Sequence, residues 1–415
     1  MATRGYPRRV PGVPVIDLTE RRRRIGVRHL LATEARTGDA VTAAEELVGI
    51  HATDPASVYL GLRARVRGLT RDHVGAALYD DRRLVKILGM RRTMFVTTPS
   101  VAAVIQAAVT ADLGARERQR LLGMIEGAGI ADDPVGWLAK VEEESVAALD
   151  ELGEATAADL TKRVAGLREQ IPFGAGKKYE GTVGVSTRLL FLLASEGRII
   201  RGRPNGTWLS SLYRWVPMDR WVEGGLEPWP AERARAELAR RWLRAFGPGT
   251  RRDLQWWTGW TVAKTKAALR DVGAVEVSMD GAPGEGARGG TAGFALPDDL
   301  EPTRDPEPWV ALVPALDTTT MAWADRAFYL GDHAKRLFDT NGNAGPTVWV
   351  DGRVVGLWAQ RTSCEVVVRL LEDIGRERDR AIDAEAAALT DWLGTDRVFP
   401  RFPNPAFQAL AASDP

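Results

Sequence analysis

The sequence predicts an α+β protein of tandem winged-helix units, each a helix-turn-helix closed by a β-hairpin wing, followed by a small β-rich C-terminal domain with a terminal helix. Three observations predict this. A Gly-x-x-Thr-x-x-Asp-Leu signature occurs at Gly153–Leu160 and again at Gly247–Leu254, each time after a stretch of helical periodicity. Each copy leads into a further amphipathic helix and then into strand-like residues around a polar turn. From residue 301 onward, strand-like runs take over until a last helical segment. A chain of 415 residues is also too long for one typical core.

Taken in order, residues 1–17 are basic and Pro-rich and have no apolar h-region. They read as a flexible arm and not as a signal peptide. The first unit, 18–130, opens on the helical "DLTERRRRIGVRHLLAT". It turns at Gly38-Asp39 and reaches "TRDHVGAALYDDRRLVKILGMRRTMFVTTP", a helix and then two strands or a hairpin. It lacks the Gly–Thr spacing and is the divergent copy.

The second unit, 131–230, is the clearest. "VGWLAKVEEESVAALDEL" is a helix that Gly153 can end, Thr156 is an N-cap, and Asp159 sits at the N3 position of a capping box. An apolar helix over 183–195 stops at Gly197, "RIIRG" is a strand, "RPNG" a turn and "TWLSSLYRW" the return. This order places the last helix for a major groove.

The third unit, 231–300, repeats the pattern from "AERARAELARRWLRAF", with a long Gly-rich turn over 281–293 before "GFALPDDL". The final domain, 301–415, holds the strand-like "WVALVPALD", "PTVWVDGRVVGLWAQR" and "CEVVVRLL" and the helix "ERDRAIDAEAAALTDWLG". Asp351-Gly352 is a hairpin signal within it.

Composition bounds the function. Hydrophobic residues are 45% and charged residues 27%, with no apolar run long enough to span a membrane. Cys364 is the one cysteine, so no intrachain disulfide and no Cys-based metal site is expected. The four histidines, His29, His51, His73 and His333, include no i, i+4 pair. No metal and no cofactor is therefore expected, and a reducing cytoplasm is the natural compartment.

The net charge of +1 hides an asymmetry. Only 8 of the 56 basic residues are Lys, and Arg clusters at 21–24, 91–92, 198–203 and 251–252. Arginine is the better phosphate fork, so one nucleic-acid face is a consistent reading; solvated helix faces are the alternative. "FGAGKKYEG" fails the Walker spacing, which excludes nucleotide hydrolysis on that ground. Without heptads or a long edge strand, a monomer is expected.

The segment "LVGIHATDPASVYL" (47–60) places a histidine, a threonine and an aspartate between a helix end and a Pro-containing turn. Together with "LGMRRTMFVTTP" and "DGRVVGLWAQR", in that order, it makes the chain resemble the tandem winged-helix DNA glycosylases of the AlkZ/YcaQ type across residues 18–395. The resemblance implies action on double-stranded DNA, with nucleoid association when bound. The implied reaction is hydrolysis of the N-glycosidic bond of bulky or crosslinked N7-alkylated purines. In that family the positions matching 51 and 53 are usually Gln-x-Gln or Gln-x-Asp and position the attacking water; here they are His51 and Thr53.

Side chains at i and i+2 of an extended backbone lie on one face and can hold one water between them. His51 can do so as a neutral acceptor or as a general base, and Thr53 offers one donor and two lone pairs. Asp54 can orient His51 or stabilise positive charge on the sugar. It can equally be the N-cap of a helix over 55–66 with Pro55 at N1, and the two roles are compatible.

Candidate DNA contacts are Arg91, Arg92 and Thr93 in the first wing-like segment, Lys177 and Lys178 in a Gly-flanked loop, and Arg201 and Arg203 in the second wing. Arg353, Trp358, Gln360 and Arg361 surround the C-terminal hairpin; the family brings a hairpin to the minor groove beside the lesion. The competing reading of these is solvated edges, with the tryptophans in a core.

The alternative function is a non-catalytic winged-helix DNA-binding or regulatory protein. An enzyme would set His51 in a cleft with room for water, and a binding module would bury it. A different hydrolase built on His51 and Asp54 lacks an identifiable Ser or Cys nucleophile.

Overall fold

A computed structural model of the chain describes residues 13–174, 180–279 and 291–413. The chain forms two compact units, one from residues 1–75 with 236–415 and one from residues 76–235. This partition does not coincide with the successive segments read from the sequence.

In the unit of residues 76–235, strands Val85–Leu88 and Met94–Thr97 form an antiparallel hairpin in the register Val85↔Thr97 to Leu88↔Met94. Arg91 and Arg92 turn it with φ of 52° and 61°, a left-handed pair that reverses the chain in few residues. Helix Pro99–Ile105, capped by Thr98 with Pro at N1, continues through a widened turn into Ala111–Gly127. This long helix had no counterpart in the sequence reading.

There follow helix Pro134–Leu152, ended by Gly153 at φ 75°, helix Ala157–Arg163 and helix Val185–Ser195. Antiparallel strands Ile199–Pro204 and Tyr213–Pro217 come next. Helix, helix, helix, hairpin is the order read from the sequence over 131–230. An isolated antiparallel bridge joins Ala155 to Trp215 of this hairpin. A further small hairpin, Gln170–Phe173 with Gly181–Gly184, interrupts the order before the third helix. The apolar faces meet in a core of Leu138, Val141, Leu160, Leu189, Leu193 and Trp215.

The other unit contains the second such run: helices Ala231–Phe246 (from Ala236 onward), Arg251–Thr258 and Val262–Asp271, then antiparallel strands Val275–Met279 and Thr291–Ala295. Most of the Gly-rich turn expected over 281–293 lies outside the described residues. Both copies of the signature are capping boxes, Thr156 with Asp159 and Thr250 with Asp253, and Leu160 and Leu254 are fully buried.

The flexible-arm expectation for residues 1–17 is corrected over its end. Val15–Ile16 adds a parallel strand to Val275–Met279, Ser278 N–H donates to the Pro14 carbonyl at 2.9 Å, and Ile16 is buried against Val277, Met279 and Ala295. Ladder bonds and apolar burial offset the ordering entropy that a Pro-rich arm would otherwise keep.

The C-terminal residues build a four-stranded antiparallel sheet in chain order, Val310–Val313, Thr347–Val350, Arg353–Gln360 and Val366–Leu370. Asp351 and Gly352, at φ 47° and 84°, make the two-residue turn that their sequence signals. Helices Arg376–Leu393 and Pro405–Ala411 pack on this sheet. Aromatic rings at Phe246, Trp257, Trp323, Phe328, Tyr329 and Trp349 contact one another within the core. Among the described residues no helix is long and apolar enough to cross a membrane, and no cluster of three metal-ligating side chains occurs.

Candidate functional site

The segment singled out in the sequence is a tight junction. Val48 and Gly49 take φ of 55° and 113°, and Ile50–His51 follows as a two-residue strand. Asp54 then caps helix Pro55–Arg63, shorter than the 55–66 expected. Its Oδ1 accepts from Ala56 N–H at 3.1 Å, and its Oδ2 accepts from Arg401 N–H at 3.0 Å. The Arg401 guanidinium also donates to the Thr53 carbonyl at 3.4 Å. One carboxylate oxygen thus caps the helix and the other holds the backbone at Arg401.

His51 is 2% exposed, Thr53 half-buried and Asp54 6% exposed. A small recess of about 20 Å³ lies beside Asp54 and Ser57, walled by Trp358, Phe399, Pro400 and Phe407, and neither His51 nor Thr53 lines it.

Part of what holds this strand comes from far along the chain. The His51 N–H donates to Thr318 Oγ1 at 2.9 Å, and the Thr318 hydroxyl donates to the Gly49 carbonyl at 3.1 Å. Ser57 Oγ donates to the Ala315 carbonyl at 2.7 Å. Residues 315–319 are in turn held by Arg65, whose guanidinium donates to both Asp317 carboxylate oxygens (2.9 and 2.7 Å), Thr319 Oγ1 (2.8 Å), and the Gly61 (2.6 Å) and His29 (3.1 Å) carbonyls. All five of its N–H groups are used.

His29 lies between Thr319 Oγ1 (2.8 Å, at Nδ1) and the Ala245 carbonyl (3.2 Å, at Nε2). A carbonyl only accepts, so Nε2 is assigned the proton. Burial first, then the Arg65 charge, lowers the His29 pKa to about 3, and the ring is neutral. The sequence reading missed Thr318, Arg65 and Asp317. "ALDTTT" carries no periodicity or spacing that marks it.

The expected DNA contacts divide. In the unit of residues 76–235, Arg92 is exposed, paired with Glu117 at 2.9 Å and 5.5 Å from the Phe191 ring. Arg91 is half-buried in the same turn, and the Thr93 hydroxyl donates to the Met90 carbonyl at 2.9 Å. On the Ile199–Pro204 strand, Arg201 lies 4.2 Å over Tyr213, while Arg203 pairs with Asp80 at 2.5 Å and lies 5.0 Å over Tyr79. The Arg203–Asp80 pair is exposed on both sides and worth little to stability, whereas the Glu117 partner of Arg92 is buried. Lys177 and Lys178 lie outside the described residues.

In the other unit, Arg353 pairs with Glu372, and Arg361 with Glu365 at 2.8 Å. Trp358 and Gln360 are corrected. Trp358 is 2% exposed and donates Nε1–H to the Val313 carbonyl at 2.8 Å. Gln360 is 1% exposed; its amide donates to the Cys364 and Asp396 carbonyls and accepts from Val398 N–H. Their strand is buried on both faces, so neither reaches a groove.

A family model described as DNA glycosylase AlkZ-like matches residues 44–392, a span that contains the whole His51–Asp54 segment. Among solved structures, the chain is similar to the Streptomyces sahachiroi DNA glycosylase AlkZ at 20% identity, with a TM-score of 0.67 over 92% of this chain and 97% of that one. No curated protein sequence matches.

Proposed function

The chain belongs to the AlkZ-like DNA glycosylase family, and we propose that it hydrolyses the N-glycosidic bond of bulky or crosslinked N7-alkylated purines in duplex DNA, with His51 and Thr53 flanking the attacking water. The observation that carries this reading is the family match across the segment that bears both residues.

A purine alkylated at N7 is already cationic, so the base leaves without protonation. The protein must hold a water at the anomeric carbon and tolerate a positively charged sugar. A neutral His51 accepts a proton from that water, Thr53 orients it, and the Asp54 carboxylate, held by the Ala56 and Arg401 N–H groups, favours the sugar cation. Arg91, Arg92, Arg201 and Arg203 would grip the phosphate backbone.

Single-turnover excision of N7-methylguanine from duplex DNA tests it. Wild type should release the base, and His51→Ala should lose about 10²-fold or more in rate with duplex affinity unchanged. A second reading, a DNA-binding protein without excision, rests on the burial of His51. Salt-sensitive duplex binding by a wild type that excises neither N7-methylguanine nor a bulkier N7 adduct would establish that reading instead.

A further inference from the structure

We infer that Thr318 is a positioning residue for the reaction, setting the depth and orientation of His51 through its backbone. The inference rests on the His51 reading above. Three observations carry it. First, the Thr318 hydroxyl closes a loop with both sides of the junction, accepting from His51 N–H at 2.9 Å and donating to the Gly49 carbonyl at 3.1 Å, with Thr318 2% exposed. One oxygen thus bonds both to the strand that presents His51 and to the turn that precedes it.

Second, backbone strain lies on both sides of this contact. Val48 and Leu316 are buried, non-glycine and left-handed, at φ 55° and 58°. Val48 is β-branched, for which that region is costly. Such conformations persist only where the surroundings over-determine them. Third, Thr318 is itself immobilised. Its neighbours Asp317 and Thr319 are both bound by the Arg65 guanidinium, and Asp317 Oδ1 accepts from Thr319 N–H at 2.9 Å.

A water-positioning pair depends steeply on geometry, and a displacement of about 1 Å can cost on the order of 10²-fold in rate. Thr318→Val keeps the volume and deletes the hydroxyl. Thr318→Ser keeps the hydroxyl. The full-length variants are compared for single-turnover excision of N7-methylguanine, duplex Kd and melting temperature, with rates read well below the melting point.

Thr318→Val should excise about 10- to 100-fold more slowly at unchanged Kd, and Thr318→Ser should return most of the rate. Excision by Thr318→Val at the wild-type rate would overturn the inference, and so would an equal loss in Thr318→Ser. If Thr318→Val does not fold, Thr318→Cys, whose thiol is a weak acceptor, takes its place under the same criteria. The failures are distinguishable. An inactive wild type removes the His51 reading and this inference with it, whereas an active wild type with an equally active Thr318→Val removes only this inference.

Discussion

Arg65 and Asp317 form a two-bond ion pair in which neither side chain has any solvent exposure. The remaining guanidinium donors reach Gly61, His29 and Thr319, so the pair ties helix Pro55–Arg63 to the 315–319 segment that holds His51. Removing one partner leaves a buried charge without compensation, which costs about 3–5 kcal/mol. Arg65→Met and Asp317→Asn should each lose that much in urea denaturation. The double variant Arg65→Met/Asp317→Leu should lose less than the sum, because neither charge is then left behind. Single variants within about 1 kcal/mol of wild type would contradict this account.

His29 makes stability depend on acid. Burial, then the Arg65 charge, holds its pKa at about 3, against 6.5 for an ordinary histidine. Between these values the unfolded chain binds a proton that the folded chain does not. The neutral ring's contribution is therefore complete above pH 6.5 and falls as the pH drops toward 3. Between pH 7 and pH 4.5 it should remove about 2–3 kcal/mol. His29→Gln, which can donate to Ala245 and accept from Thr319, should lose visibly less over the same interval. Identical pH dependence of the two denaturation curves would show that His29 is not the group responsible.

The two capping boxes are alike in sequence and unlike in consequence. Asp253 is 1% exposed, and beyond Thr250 it accepts from Ala324 and Asp325 N–H at 2.9 and 3.0 Å. Asp159 is half-buried, and beyond Thr156 it meets only the exposed Lys162 ammonium, at 3.8 Å. Asp253→Ala strands two further backbone donors and should cost about 3 kcal/mol. Asp159→Ala should be clearly milder by the same denaturation assay. Equal losses would mean that the Ala324 and Asp325 bonds contribute nothing.

Trp358 and Arg203, both expected at DNA, should separate cleanly. Trp358→Ala empties a packed site and should cost about 3–5 kcal/mol of stability without altering the duplex affinity of the folded fraction. Arg203→Ala should leave the melting temperature in place, weaken duplex binding evenly across sequences and lower the salt slope of binding by about 1. Fluorescence anisotropy at several salt concentrations reads both. A Trp358 variant that folds normally but binds DNA poorly would reverse the assignment.

Local physics was open to inspection in the chain. Helical periodicity, Thr–Asp caps at fixed spacing and the Asp351-Gly352 turn marked the repeated helix–helix–helix–hairpin run, the C-terminal strands and the helix Arg376–Leu393, though not the helix Pro405–Ala411 that follows it, because each marked feature depends on residues within a few positions of one another. The capping of helix Pro55–Arg63 by Asp54 was legible for the same reason. The widened turn at Gln106–Thr110 and the strand at Val15–Ile16 were not, since each is selected by its neighbours in space.

Only the tertiary structure decided the surroundings of the candidate site. Thr318 meets His51 and Arg401 meets Asp54 across hundreds of intervening residues, and no spacing in "ALDTTT" or "PRFPNP" announces either contact. The same holds for Trp358 and Gln360. Strand alternation says that two residues share a face, but helices Ala327–Leu330 and Pro405–Ala411 pack against the Arg353–Gln360 strand, which is buried along its length. A sequence carries the period of a buried surface; what buries it is set by the packing of elements that the period does not connect.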